Sequence, residues 1–125
     1  MDRYLLVALF GAAGAVSRYA VDTLFGSVSP GQFPWSTLVV NVVGAFALGV
    51  LIELGLRGVL ANPNWRIALG VGFLGAFTTF STFGYQTIQL IEDGHVTAAG
   101  LNVLLSVTIG LLAAWGGLTL GRVLF

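Results

Sequence analysis

The sequence predicts an all-α membrane protein built from four transmembrane helices. Of its 125 residues, 57% are hydrophobic and 8% charged, whereas soluble domains carry about a quarter charged residues. The apolar residues fall into four runs near the roughly 20 residues that cross about 30 Å of hydrocarbon. Short clusters of helix breakers separate the runs. These three features predict a single four-helix transmembrane domain over residues 1–125, with spans at 4–25, 35–56, 65–91 and 96–120.

The first run follows Asp2 and Arg3 and stays apolar toward Phe25. That is longer than the core of a secretory signal, so an uncleaved span is the simpler reading. SVSPGQFPW leads into the second run with Pro30, Gly31 and Pro34 as breakers, while ANPNW and EDGH make the later turns. Trp35 and Trp65 stand at span entrances, the depth an amphipathic ring prefers. The three short links imply a compact bundle of antiparallel neighbours. Gly11 and Gly14, Gly44 and Gly49, Gly70 and Gly72, and Gly116 and Gly117 let backbones approach in lipid. A bundle of four such helices is too thin to shield a polar path, so a dimer is expected.

Charge and composition close off several function classes. Five Arg, no Lys and five acidic residues sum to zero, which leaves no basic surface for nucleic acid. With no cysteine and only His95, disulfides, thiolate metal sites and Cys/His catalysis are out of reach.

Polar residues inside the spans are therefore the functional candidates. Arg18 sits within the first span, where a charge costs about 2.5–3.5 kcal/mol on insertion scales. It can contact an ion, pair with Asp22 one turn later, or snorkel to the interface. Asn41 can present its amide to an anion or bond another helix. Glu53 and Arg57 have the i, i+4 order of an ion pair. Asn102 and Ser106 share a face of the fourth span and can line a wet track, whereas Thr108 is expected to back-bond to its own helix. His95 belongs to a turn and is expected to be solvated.

The stretch GAFTTFSTFGY, Gly75 to Tyr85, places four Ser/Thr hydroxyls and three phenylalanines near the middle of the third run. An irregular backbone at that depth is tolerated only where it is buried in protein or faces a cavity. If the helix breaks there, the carbonyls ending its first half can coordinate sodium, with hydroxyls of Thr78, Thr79, Ser81 and Thr82 satisfying the remainder. Phe80 and Phe83 are three apart and share a side. Their positive ring edges can offer weak, dehydrated contacts to an anion, or the rings can simply pack the bundle. The residues alone thus give an ion pathway of open selectivity.

GFLGAFTTFSTFGY resembles the signature of the CrcB/Fluc fluoride channel family, whose third helix is broken at this motif. GAAGAVSRY at residues 11–19 and STLVVNVVGAFALG at residues 36–49 resemble the family's first- and second-helix motifs, so the likeness spans the chain in order. The resemblance implies an antiparallel, dual-topology dimer of four-helix subunits in the plasma membrane, passively exporting fluoride and lowering its toxicity. It also implies a structural, non-transported sodium ion held by the backbone carbonyls of Gly75 and Thr78. Phe80 and Phe83 would meet fluoride with their edges, Asn41 would be the pore amide, and Ser81, Thr82 and Ser106 would offer hydroxyls along the path. Ala76 and Ser36 depart from glycines common in the family, both by a small group. Arg3, Arg57, Arg66 and Arg122 stand on one side of the membrane against Arg18 on the other. That bias leaves a heterodimer with an oppositely oriented paralogue beside the homodimer. The alternative is a small multidrug-type four-helix exporter, which needs a membrane-embedded carboxylate; no acidic residue lies near a span centre. An enzyme is not expected, because no His or Asp is placed to activate a serine.

Overall fold

A computed structural model describes residues 2–125, and among them all regular structure is helical. Helix α1 (Arg3–Phe25) opens where the Asp2 carboxylate accepts the N–H groups of Tyr4 and Leu5 at 2.6 and 3.4 Å. That is an N-cap satisfying donors the helix itself cannot. Helix α2 (Trp35–Leu56) follows the proline-rich link directly after Pro34. It ends before Gly58, whose φ of 75° suits a residue without Cβ.

The third span, Pro63–Glu92, is a composite. A first turn, α3 (Pro63–Arg66), is capped by Asn62, with Pro63 at a position where its missing N–H costs nothing. Residues Ile67–Leu74 then wind as a π-helix. A short α-helical piece, α4 (Gly75–Phe77), and helix α5 (Phe80–Glu92) complete the span. Between them Thr78 (φ −85°, ψ 158°) and Thr79 (φ −149°, ψ 119°) are extended. Helix α6 (Val96–Leu124) closes the fold and runs past residue 120, because Arg122 in its last turn reaches back to α2. Four helices are long and apolar enough to cross a membrane.

Glycine decides which helices touch. A methyl group on Gly117 of α6 would overlap the Phe46 carbonyl of α2, and one on Gly49 of α2 would overlap the Ala114 carbonyl of α6. The α2–α6 pair is accordingly the most extensive contact. The contact between α1 and the π-helical turns is next; there a methyl on Gly14 would overlap the Phe73 carbonyl. In lipid, where no hydrophobic effect drives helices together, the dispersion energy of such close approach does so. Val40 and Ala68 are fully enclosed between the helices.

At the end of this core that carries Leu56 and Arg122, Glu53 is buried and bonds two arginines. Arg57 Nε lies 3.0 Å from one carboxylate oxygen and Arg122 Nε 3.4 Å from the other. The Glu53–Arg57 pair follows the sequence spacing, and Arg122 is a third member from a distant helix.

Candidate functional site

Interest concentrates where α2 and α1 meet the extended residues of the third span. Asn41 on α2 pairs with both backbone polar groups of Thr79. Its Nδ2 donates to the Thr79 carbonyl at 2.9 Å, and its Oδ1 accepts the Thr79 N–H at 2.7 Å. The side chain thus imitates a neighbouring strand and satisfies backbone groups that no helix turn serves. Gly44, one turn along α2, gives Thr78 its place, since a methyl there would overlap the Thr78 side chain. Thr78 itself still reaches back into α4 and the π-helical turns: its N–H and Oγ1 both donate to the Leu74 carbonyl, at 3.1 and 2.9 Å.

On the far side of the extended pair, Thr79 caps α5. Its hydroxyl accepts the Thr82 N–H at 3.2 Å, donates to Thr82 Oγ1 at 3.0 Å and lies 3.4 Å from Ser81 Oγ. Three hydroxyls therefore cluster at the positive end of a helix dipole, a setting that favours negative charge. Directly after them the rings of Phe80 and Phe83 come together, centroids 5.7 Å apart and planes tilted by 52°. Phe80 is 83% exposed, so its ring is presented outward rather than spent on the core.

The carbonyl accounting around the extended pair is uneven. Ala76 accepts a hydrogen bond from Arg18 Nε at 3.2 Å. Among the described residues no donor of the chain bonds the carbonyls of Gly75, Phe77 or Thr78. Gly75 loses its usual donor because Asn41 takes the Thr79 N–H. Two adjoining clefts of about 290 and 230 Å³ open here, both lined by Asn41 and Thr78, with Gly75 on the first and Thr79 and Phe80 on the second.

Other sequence candidates fall elsewhere. Arg18 is not paired with Asp22; that carboxylate instead accepts from the Ser36 hydroxyl. Asn102 is 1% exposed and lines no open track: its Nδ2 donates to Thr87 Oγ1 at 2.9 Å, joining α6 to α5. Ser106 donates to Asn102 Oδ1 at 3.4 Å and is half-buried. Thr87 continues the chain into the Phe83 carbonyl at 2.8 Å, so this ladder ends on the backbone of a ring residue. It is Thr119, donating to the Trp115 carbonyl at 2.9 Å, that back-bonds in α6. His95 is exposed, as a turn residue should be. Thr87 is the one member of this network that the sequence reading did not single out; a threonine inside an apolar helical run is its only sequence signal.

Comparison with known proteins gives one answer throughout. A family profile described as CrcB-like protein, Camphor Resistance (CrcB), matches residues 5–118. The fluoride-specific ion channel FluC of Geobacter sulfurreducens is 46% identical over 122 residues, covering 98% of both chains. That of Geotalea uraniireducens is 44% identical over 124 residues, 99% of this chain and 100% of the relative. That of Geobacter metallireducens is 47% identical over 117 residues, 93% and 94% of the two chains.

Proposed function

The chain belongs to the CrcB family, and from that membership we propose that it is a fluoride-selective channel, not an enzyme, exporting fluoride passively across the plasma membrane, which it crosses several times. One observation carries the reading beyond membership: the hydroxyls of Thr79, Ser81 and Thr82 lead directly onto the close Phe80–Phe83 ring pair. Fluoride leaving water needs replacement donors, and hydroxyls and ring edges supply them without a fixed cation that would trap it. Asn41 retains a second Nδ2 proton beyond the one given to Thr79, enough for a contact to a passing anion. Ser106 is the less direct member, reaching the path through Asn102 and Thr87.

Sodium fits the carbonyl set. A hard cation binds oxygen, and half-helix C-terminal ends supply it in other membrane proteins. Gly75 and Thr78 offer backbone oxygens that their own chain does not use, beside a cleft both line. Such an ion would offset the negative helix end and remain in place. The clefts open outward, which supports a second subunit closing them; its opposite orientation is what the family resemblance implies. A homodimer is the simplest such assembly; the arginine bias is what an oppositely oriented paralogue would balance.

The exporter alternative needs a carboxylate free to exchange protons. Among the described residues Glu53 is the buried acid, and two guanidinium groups hold it at the end of α2. The test is fluoride against chloride efflux from reconstituted vesicles. Selective fluoride efflux is expected, and equal or absent efflux of both overturns the reading.

A further inference from the structure

Arg18 bonds a backbone oxygen, not an acid, and the acceptor is unusual. In a continuous helix the carbonyls of Gly75, Ala76 and Phe77 would accept the N–H groups of residues 79, 80 and 81. The extended backbone at Thr78 and Thr79 removes those donors. Of the three oxygens, Ala76 alone is served by a side chain, the Arg18 guanidinium at 3.2 Å.

Helix α1 is shaped to deliver that group. Gly11, Gly14 and Arg18 lie on one stripe at i, i+3 and i+7. A Cβ on Gly11 would sit 3.7 Å from the Gly72 carbonyl, and Gly14 is pressed against the Phe73 carbonyl. The next step along the stripe brings Arg18 to Ala76, so α1 and the first half of the third span run alongside each other up to the helix end. Arg18 is half-buried there, and its neighbour Asp22 is occupied by Ser36. Its charge is thus answered by the partial negative charge of a helix C-terminus.

We propose that Arg18 is a positioning residue for the ion site: a permanent, protein-borne cation that caps the first half of the third span at Ala76. With Ala76 occupied, the Gly75 and Thr78 carbonyls are the ones presented to an exchangeable cation. This deepens the sodium reading above and rests on it. The guanidinium is suited to the task because Nε donates in a fixed plane while its Nη groups stay available for other acceptors. A lysine would bring charge without that fixed geometry.

The test compares wild type, Arg18→Lys and Arg18→Gln. Labelling with carbonyl-¹³C alanine and ¹⁵N phenylalanine selects two Ala–Phe peptides, Ala76–Phe77 at the helix end and Ala45–Phe46 inside α2 as a reference. The second readout is the sodium concentration giving half-maximal thermal stabilisation of purified protein, which needs no fluoride transport. In Arg18→Gln the Ala76 carbonyl signal is expected to move while Ala45 stays, and the sodium midpoint to rise by up to about tenfold, the ceiling set by one charge-assisted hydrogen bond, with lost positioning outweighing the relief of repulsion between guanidinium and ion. Arg18→Lys should fall between. An unmoved Ala76 signal overturns the proposal, as does an unchanged sodium midpoint in both variants. A wild type that sodium does not stabilise strikes the sodium site itself and the positioning role with it. Loss of fluoride selectivity in wild-type vesicles would instead strike the functional reading.

Discussion

Replacing Asn41 by leucine, which has nearly the same shape, should collapse the extended pair rather than merely weaken a contact. Asn41 supplies the hydrogen bonds of both Thr79 backbone groups. At about 0.5–1.5 kcal/mol net for each, they favour the extended conformation by about 1–3 kcal/mol, or roughly 5- to 150-fold in population. The full penalty for two orphaned groups in hydrocarbon would be larger, but the chain has an escape. If Thr78 and Thr79 turn helical, the Thr79 N–H regains the Gly75 carbonyl and the third span becomes continuous. An extended residue advances about 3.3 Å and a helical one 1.5 Å, so two residues turning helical shorten the span by roughly 4 Å. The chain has no cysteine, so spin labels on cysteines introduced at positions 62 and 93, with labelled chains diluted by unlabelled ones, can report that distance. The expected result is a shortening of roughly 4 Å together with fluoride efflux lowered within the range above. Unchanged distance and unchanged efflux would refute the account of Asn41.

Phe80→Ile or Phe83→Ile should leave assembly intact and lower fluoride efflux by at least about tenfold, because an aliphatic group lacks the positive ring edge; equal efflux removes the rings from the path. Exchanging sodium for a larger organic cation throughout purification should lower efflux, and indifference counts against the Gly75 and Thr78 carbonyls as a cation site. Gly117→Ala should cost about 2 kcal/mol or more, since it meets backbone that cannot step aside. Gly100→Ala, with open space around it, should be neutral or gain up to about 1 kcal/mol, both read by thermal unfolding. For the ion triad, Glu53→Gln should cost less than about 1 kcal/mol, because Arg57 and Arg122, at 40% and 54% exposure, can turn to water. Removing both arginines strands a carboxylate that is 6% exposed and should cost about 3–5 kcal/mol. Tags on the termini labelled from each face test the opposed arrangement: labelling from both faces is expected of a homodimer of opposed chains, and labelling from one face alone, with no oppositely oriented paralogue, overturns it.

What the sequence made legible is what repeats or sits locally. Apolar runs of membrane length and the turns between them are periodic signals, and Glu53 with Arg57 follows from helical spacing. The extended residues fall in the hydroxyl-rich stretch that stands out from its apolar surroundings. The partners of the polar side chains were not legible. Asn41 and Arg18 both bond backbone atoms of the third span, 38 and 58 residues away, and a peptide group carries no residue label to search for. Arg122 joins Glu53 side chain to side chain across 69 residues, a distance over which helical spacing pairs nothing. Nor does IALGVGFL announce a π-helix: its glycines permit the close approach of α1, but the wider winding depends on what packs against it.

The hydrogen-bond accounting at Thr78 and Thr79 also bears on what the working unit must be. In hydrocarbon a polar backbone group without a partner costs several kcal/mol. Asn41 removes that cost for Thr79, Arg18 for Ala76, and the Leu74 carbonyl for the Thr78 N–H. The carbonyls of Gly75, Phe77 and Thr78 remain, and three such oxygens facing lipid would cost about as much as a small domain's whole stability. Lipid is therefore the one environment this surface is not built for. The proposed cation and second subunit would relieve the cost together, since an ion held by oxygens from two chains would neutralise both helix ends at once. Dilution into detergent without sodium should accordingly separate and unfold the protein in one step, and a stable, folded monomer under those conditions would break the link between the free carbonyls and assembly.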